Sequence, residues 1–198
     1  MDDTRLISTP EAAKILQIDT STLWRWLKAG KVTPTWTTPN GRHRWDIDDL
    51  RRQLGLPVEA RPIVLAIVTC ERGVLIGKRR DGRPPWTFIG GEVEPMETPA
   101  EAAVREVAEE AELRVIASAA GPIGQRVHPK TGRTMIYVPC APIGSATVAV
   151  GDEEELEEVR WVSEATAEDL LPGLWEPVLV HLAGALRGAE DTEAAMQR

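Results

Sequence analysis

Cysteine is scarce: the 198 residues contain two, Cys70 and Cys140, both inside apolar, strand-like stretches. That usage offers no disulfide framework and suits a reducing cytoplasm. Histidine is nearly as rare, at three, and neither CxxC nor HExxH occurs, which excludes the common zinc arrangements. No apolar run approaches the roughly 20 residues of a membrane helix. The start, MDDTRLISTP, lacks the basic-then-apolar pattern of a signal peptide. A cytoplasmic protein with no membrane partner is therefore expected. Disorder is disfavoured by a composition that is 42% hydrophobic and 27% charged. Basic residues are the minority, 23 against 31 acidic, for a formal charge of −8.

What is present is unevenly placed. Four of seven tryptophans (Trp24, Trp26, Trp36, Trp45) fall in the first 60 residues, whereas the single Phe and single Tyr come later. Residues 1–60 carry 9 basic and 8 acidic side chains; residues 61–198 carry 14 and 23. A polyanion would be tolerated by the first part and repelled by the second. Leu54-Gly55-Leu56-Pro57-Val58-Glu59-Ala60-Arg61-Pro62 reads as a linker between them. The expected domains are 1–58 and 59–198.

In the first part, Thr9 and Pro10 read as an N-cap with proline at the first helical position. Ala12, Ala13, Ile15 and Leu16 give that helix an apolar face. Asp19 is placed to cap a second helix, Thr20–Ala29, which Gly30 closes. Leu23, Trp26 and Leu27 share one side of it, leaving Thr22 and Arg25 as polar groups near its start. Two short helices joined by a tight turn form a helix-turn-helix, whose second helix can enter a major groove. A strand over Val32–Thr38 follows, then the turn Pro39-Asn40-Gly41. Arg42 and Arg44 flank its tip, within reach of phosphates or a minor groove.

These segments (STPEAAKIL, DTSTLWRWLKAGKV, NGRHRW, IDDLRR) resemble the winged helix-turn-helix of MerR and excisionase-like regulators. The resemblance implies that Thr22, Arg25 and Lys28 face the major groove and that Arg42 and Arg44 lie in the wing. Double-stranded DNA is the implied partner, read by a homodimer. Near-neutral charge weighs against this, because phosphate contacts supply most affinity for DNA. The alternative is a small helical domain used for protein contacts.

In the second part, Pro62–Thr69 and Val74–Lys78 read as strands joined by a turn at Glu71-Arg72-Gly73. After Arg79 and Arg80 comes a Gly/Pro-rich loop, then Trp86-Thr87-Phe88-Ile89-Gly90-Gly91. Thr98-Pro99-Ala100-Glu101 is a capping box that starts a helix. At ~100° per residue, Ala100, Ala103, Val104, Val107, Ala108 and Ala111 share one flank. Glu106, Glu109 and Glu110 fall on the opposite flank, bordered by Arg105, which can pair with Glu97. Clustered carboxylates repel unless a cation joins them, and three beside a glycine-rich loop suit a hard divalent ion. Such an ion can neutralise a diphosphate and activate a water. On spacing alone, a solvated acidic face explains them as well.

The full string, Gly91-x5-Glu97-x7-Arg105-Glu106-Val107-Ala108-Glu109-Glu110-Ala111-Glu112-Leu113, resembles the Nudix box, G-x5-E-x7-R-E-U-x-E-E-x-G-U with U apolar. Flanking strands extend the resemblance over roughly residues 60–188. It implies an α/β/α sandwich that hydrolyses a nucleoside diphosphate linked to another moiety, using Mg²⁺ with Mn²⁺ as the alternative. By motif position Glu106, Glu109 and Glu110 are metal ligands, helped by the Gly90 carbonyl, and Glu97 with Arg105 forms the orienting ion pair. A further Glu from beyond the box is implied; Glu153, Glu154 and Glu155 are the source, with Glu154 carried as the ligand and the choice left open. Arg79 and Arg80 are placed to hold substrate phosphates. Glu112 stands where the family has glycine, at a left-handed helix end, a local cost of about 1 kcal/mol. Ile89 replaces the usual proline, so a looser loop is expected. His128, in a hairpin over Arg126–Arg133, reads as a surface residue, and His181, in a last helix over Glu176–Arg187, as structural. Two other functions remain open: a regulator whose Nudix fold senses a nucleotide-like ligand, and a housecleaning enzyme whose N-terminal part docks or dimerises.

Overall fold

The computed structural model describes residues 6–58 and 60–196, with the side chains of the last helix described to Arg187. Residues 1–5, on which the expectation of no leader partly rests, lie outside the described residues. So do Glu59, the expected start of the second domain, and residues 197–198. The chain divides into two compact units: residues up to Ala60 with Glu94–Glu97, and Arg61–Val93 with Thr98 onward.

The first unit runs β1 (Ile7–Ser8), α1 (Thr9–Ile15), α2 (Thr20–Lys28), β2 (Trp36–Thr37), β3 (His43–Trp45) and α3 (Ile47–Gln53). Its three-stranded antiparallel sheet has the order β1-β3-β2, pairing Ile7 with Trp45 and Trp36 with Arg44. Ile7, Ala12, Ala13, Leu23, Val32, Trp45, Ile47 and Leu50 form the core, with Trp26 and Leu27 packed against it. The N-cap of α1 is Ser8 rather than Thr9, because Ser8 and Glu11 close a capping box. The Thr9 hydroxyl is instead buried and accepts from the Trp45 indole N–H at 3.0 Å. Asp19 occupies the N-cap position of α2 but makes no side-chain capping bond. Gly30, at φ 68°, ends α2 in the left-handed region. The strand expected over Val32–Thr38 shrinks to Trp36–Thr37. Thr33 is held by a side chain, its N–H donating to Gln53 Oε1 at 2.7 Å and its carbonyl accepting from Nε2 at 2.9 Å. Leu54 packs on this core, so the exposed stretch begins after it.

The second unit runs β4 (Ile63–Cys70), β5 (Gly73–Arg79), β6 (Trp86–Thr87), α4 (Pro99–Ala111), β7 (Val115–Ala117), β8 (Gly124–Val127), β9 (Thr134–Pro142), β10 (Leu156–Val162), α5 (Glu164–Leu170) and α6 (Glu176–Met196). The sheet has the order β10-β5-β4-β9-β7, with β6 beside β5 and β8 beside β9, and β4 and β9 run parallel. Alternation along β4 splits the interior in two. Val64, Ala66 and Val68 face Ala102, Ala103, Val107 and Ala111 of α4. Leu65 and Ile67 face Val178 and Leu182 of α6, with Phe88 and Tyr137. The result is an α/β/α sandwich. α6 extends past the expected end at Arg187. No helix among the described residues is long and apolar enough to cross a membrane.

Candidate functional site

Helix α4 starts as its sequence dictates: Thr98 caps it, Glu101 completes the box, and Pro99 opens the first turn. Its buried stripe, however, differs from the alanine-rich flank. Ala100 and Ala108 are exposed, while Glu106 and Glu110 sit buried beside Ala102, Ala103, Val107 and Ala111. An alanine methyl adds little apolar area either way, so the face is chosen by the large residues and by what the opposite wall offers.

That wall is the strand-like segment from Phe88 to Val93. Ile89 and Gly91 both aim their carbonyls at β4, accepting from Ala66 N–H and Val64 N–H at 2.8 Å each. In extended chain the intervening Gly90 turns its peptide groups the other way, and its N–H donates to the Glu110 carboxylate. Glycine is required at Gly90, where backbone stands in the way, and at Gly91 it leaves the Glu106 carboxylate its place. A β-carbon on Gly90 would collide with the Val64 carbonyl, and one on Gly91 with the Glu106 carboxylate. Ile89 is fully buried and tied to β4, so the segment is fastened there rather than loosened.

Burial is what makes these carboxylates unusual. Desolvation, with Glu109 and Glu155 adding repulsion and Arg105 opposing, pushes Glu106 up to about 7. Desolvation followed by repulsion from Glu106 and Glu155 pushes Glu110 to about 8, against the opposing Gly90 N–H. Arg105 opposes the shift at Glu106 without returning it to the ordinary carboxyl range, as expected where burial outweighs the nearby positive charge. Arg105 spans the set, donating to Glu106 Oε1 at 2.8 Å, to Glu109 Oε2 at 3.0 Å and to the Glu92 carbonyl at 3.0 Å. Glu109 is thereby turned outward and is 59% exposed. Glu97 sits in the preceding loop, its carboxylate accepting from the Glu94 N–H at 2.9 Å. Among the described residues no three acidic side chains stand close enough, as they are, to hold a metal. The donor chemistry nevertheless fits Mg²⁺ or Mn²⁺: all-oxygen, anionic, and lined by a glycine whose missing β-carbon leaves room at Glu106.

Of Glu153–Glu155, it is Glu155 whose charge reaches both Glu106 and Glu110. Asp152 bears on Glu110 as well, and its Oδ1 accepts from the N–H groups of Glu154 and Glu155 at 2.8 and 3.2 Å. This Asx turn aims the run, and Asp at its head is the sequence signal that could have singled out its end. Arg79 lies within reach of the fields of Glu110 and Glu155, with its guanidinium paired to Asp81 at 3.0 Å. Arg80 is spent on the Glu153 carbonyl at 2.7 Å. His128 is local, its Nδ1 accepting from Lys130 and Thr131 N–H groups in the β8–β9 turn. His181 is half-buried in α6, and burial lowers its pKa.

On the other side of the sheet, Trp86, Phe88, Tyr137, Arg126 and Leu174 help line a cavity of about 160 Å³. The only Phe and Tyr of the chain thus meet in one place. Their scarcity was the available signal, but only the fold brings residues 88 and 137 together. A larger open hollow of about 610 Å³, at the β4–β5 turn, contains none of the box residues.

In the first unit, Arg25, Lys28 and Arg42 are exposed, and Thr22 and Arg44 half-buried. Thr22 Oγ1 accepts from Arg25 at 3.4 Å. Arg42 lies in the β2–β3 turn, its N–H held by Thr38 Oγ1 at 3.0 Å. Arg44 lies within β3, between Ser8 and Trp36.

A crystal structure of a Nudix-family hydrolase from Clostridium perfringens matches with a TM-score of 0.53 at 20% identity, covering 66% of this chain and 98% of that one. An Ap4A hydrolase from C. elegans is 16% identical over 67% of this chain and 98% of its own, with a TM-score of 0.49. An ADP-ribose pyrophosphatase from Streptococcus suis is 22% identical over 66% and 92%, with a TM-score of 0.47. No curated protein matches the chain. The family model for the NUDIX domain matches residues 59–182, a span that includes the Gly91–Leu113 box, and on that match the chain belongs to the Nudix family.

Proposed function

We propose that the second unit is a divalent-metal-dependent hydrolase that cleaves the phosphoanhydride of a nucleoside diphosphate linked to another moiety. The observation that carries this reading is the buried Glu106–Glu110 pair facing Gly90–Gly91. Two desolvated carboxyls are costly in any other role. Glu106, Glu109 and Glu110 would hold Mg²⁺ with the Gly90 carbonyl, and Glu155 is the fourth carboxylate in place of Glu154. When bound, the ion supplies charge neutralisation at the diphosphate and activation of water. Arg105 releases Glu109 to the site while keeping its bond to the Glu92 carbonyl, and so holds the loop and helix in register. Arg79 is placed for the phosphates, and the Trp86–Phe88–Tyr137 cavity offers π-faces to a base. The test is a panel of ADP-ribose, dinucleoside polyphosphates and nucleoside triphosphates, with Mg²⁺ or with EDTA. The reading expects hydrolysis of at least one with Mg²⁺ and none with EDTA; chelator-insensitive hydrolysis would overturn it.

The first unit is proposed as a DNA reader, the molecule acting as a homodimer that presents two recognition helices to paired half-sites. Exposure of Arg25, Lys28 and Arg42 on α2 and the β2–β3 turn supports this. The exposed indoles of Trp24 (40%) and Trp36 (52%) favour the alternative, docking to a protein. A gel shift decides: salt-sensitive retardation of duplex DNA supports the reader, and its absence on every duplex, the gene's own upstream region included, supports docking.

A further inference from the structure

The double glycine that admits the carboxylates supplies no side chain of its own to fix the loop, and glycine is the residue least restricted in φ and ψ, so its neighbours must set its place. The structure holds this loop from the side that the Nudix box does not describe. Glu92 follows Gly91 directly. Its backbone carbonyl accepts from Arg105 of α4 at 3.0 Å. Its carboxylate is gripped by Arg133, from the β8–β9 turn, at 2.7 Å, and Arg61 stands 3.8 Å from its other oxygen. Arg133 makes a second grip: its Nε and Nη2 both donate to the Arg61 carbonyl, at 3.0 and 2.8 Å. Backbone bonds bracket the same point, Val64 N–H to the Gly91 carbonyl and Val93 N–H to the Pro62 carbonyl. Arg61 is also where the chain enters the Nudix unit.

We propose that Arg133 is a positioning residue: by joining the Glu92 carboxylate to the Arg61 carbonyl, it fixes the Gly90–Gly91 loop against α4. The catalytic carboxylates are then set from both sides, by Arg105 through the backbone of Glu92 and by Arg133 through its side chain. A guanidinium suits this, because its planar fork can serve two acceptors at once, which a lysine ammonium on a flexible stem does poorly. Since one acceptor is the first peptide of the unit, the entry of the chain and the catalytic loop are fixed together.

The proposal rests on the hydrolase reading for its kinetic consequence but not for its structural one, and the test separates the two. In the full-length protein, Arg133→Ala, Glu92→Ala and the double variant are compared with wild type. Amide exchange at Val64 and Val93 should quicken in Arg133→Ala while that of β10 stays unchanged, and Mn²⁺ affinity, read by electron paramagnetic resonance, should weaken several-fold. On whichever substrate the wild type cleaves, kcat should fall about tenfold, within the loss that small misplacement causes, with KM within about twofold. Arg133→Lys should recover part of that loss. The double variant should be no worse than the weaker single variant, as expected for residues acting through one another. Exchange and Mn²⁺ affinity unchanged in Arg133→Ala would overturn the clamp, whether or not a substrate has been found. Quickened exchange with full kcat would overturn its role in positioning.

Discussion

In the N-terminal unit the candidate charges Arg25, Lys28 and Arg42 stand in solvent, whereas in the Nudix unit Glu106 and Glu110 are buried against the glycine loop. An exposed cation costs nothing to keep and so carries little information about its task. A buried carboxyl pair costs several kcal/mol unless something compensates, so its presence argues for a cation to come. Two buried charges therefore give stronger functional evidence in one unit than three exposed charges give in the other.

The largest effect should come from the buried side. Glu110→Gln and Glu109→Gln should each lower kcat at least about a hundredfold, the scale of losing one preorganised electrostatic contact. Arg25→Ala and Arg42→Ala should leave hydrolysis unchanged. Steady-state kinetics on all four variants checks this, and loss of hydrolysis in Arg25→Ala would break the comparison.

A second effect concerns pH. Glu106 and Glu110, held at about 7 and about 8, are raised above the unfolded carboxyl value. A raised carboxyl leaves stability intact below pH 4–5 and removes it as pH climbs through the folded values. In EDTA the melting temperature should therefore fall between about pH 5 and pH 9, and Mg²⁺ should flatten that fall. A melting temperature independent of pH in EDTA would show the pair to be less desolvated than its burial implies.

Much of this was legible in sequence, for identifiable reasons. The start of α4 is written in Thr98, Pro99 and Glu101, all within one turn, and the helix begins there. Glu112 is at φ 49°, in the left-handed conformation that its position in the box implies. Local chemistry of this kind survives folding unchanged. Burial of Glu106 was not legible, because it depends on a wall drawn from residues 88–93. Arg133 was invisible for the same reason, its partners lying 41 and 72 residues away. Ser8 took the cap from Thr9 because the Trp45 indole, 36 residues on, claimed the threonine hydroxyl.

On the exposed side, if Arg25 reads a guanine edge, Arg25→Ala should cost roughly 1–3 kcal/mol of DNA binding and relax specificity at that base pair. Titration of duplexes at two salt concentrations sharpens the comparison, by giving the solvated cations the function their exposure alone does not reveal.

The smallest effect tests a single backbone angle. Glu112→Gly should raise stability by about 1 kcal/mol, since glycine alone adopts this φ without strain, and denaturant melts would read it. It should leave kcat unchanged, because Glu112 caps the helix and is not one of the proposed ligands.

The central claim is that the buried carboxyls of α4 are a metal site, and calorimetric titration of Mg²⁺ at pH 7 tests it most directly. Wild type and Glu110→Gln are each titrated in two buffers that differ in ionisation enthalpy. The account predicts binding to wild type with release of protons, because carboxyls near pH 7–8 must ionise to ligate, and binding weakened at least about tenfold in Glu110→Gln. Equal Mg²⁺ affinity in the two proteins, with no proton released by either, would contradict it.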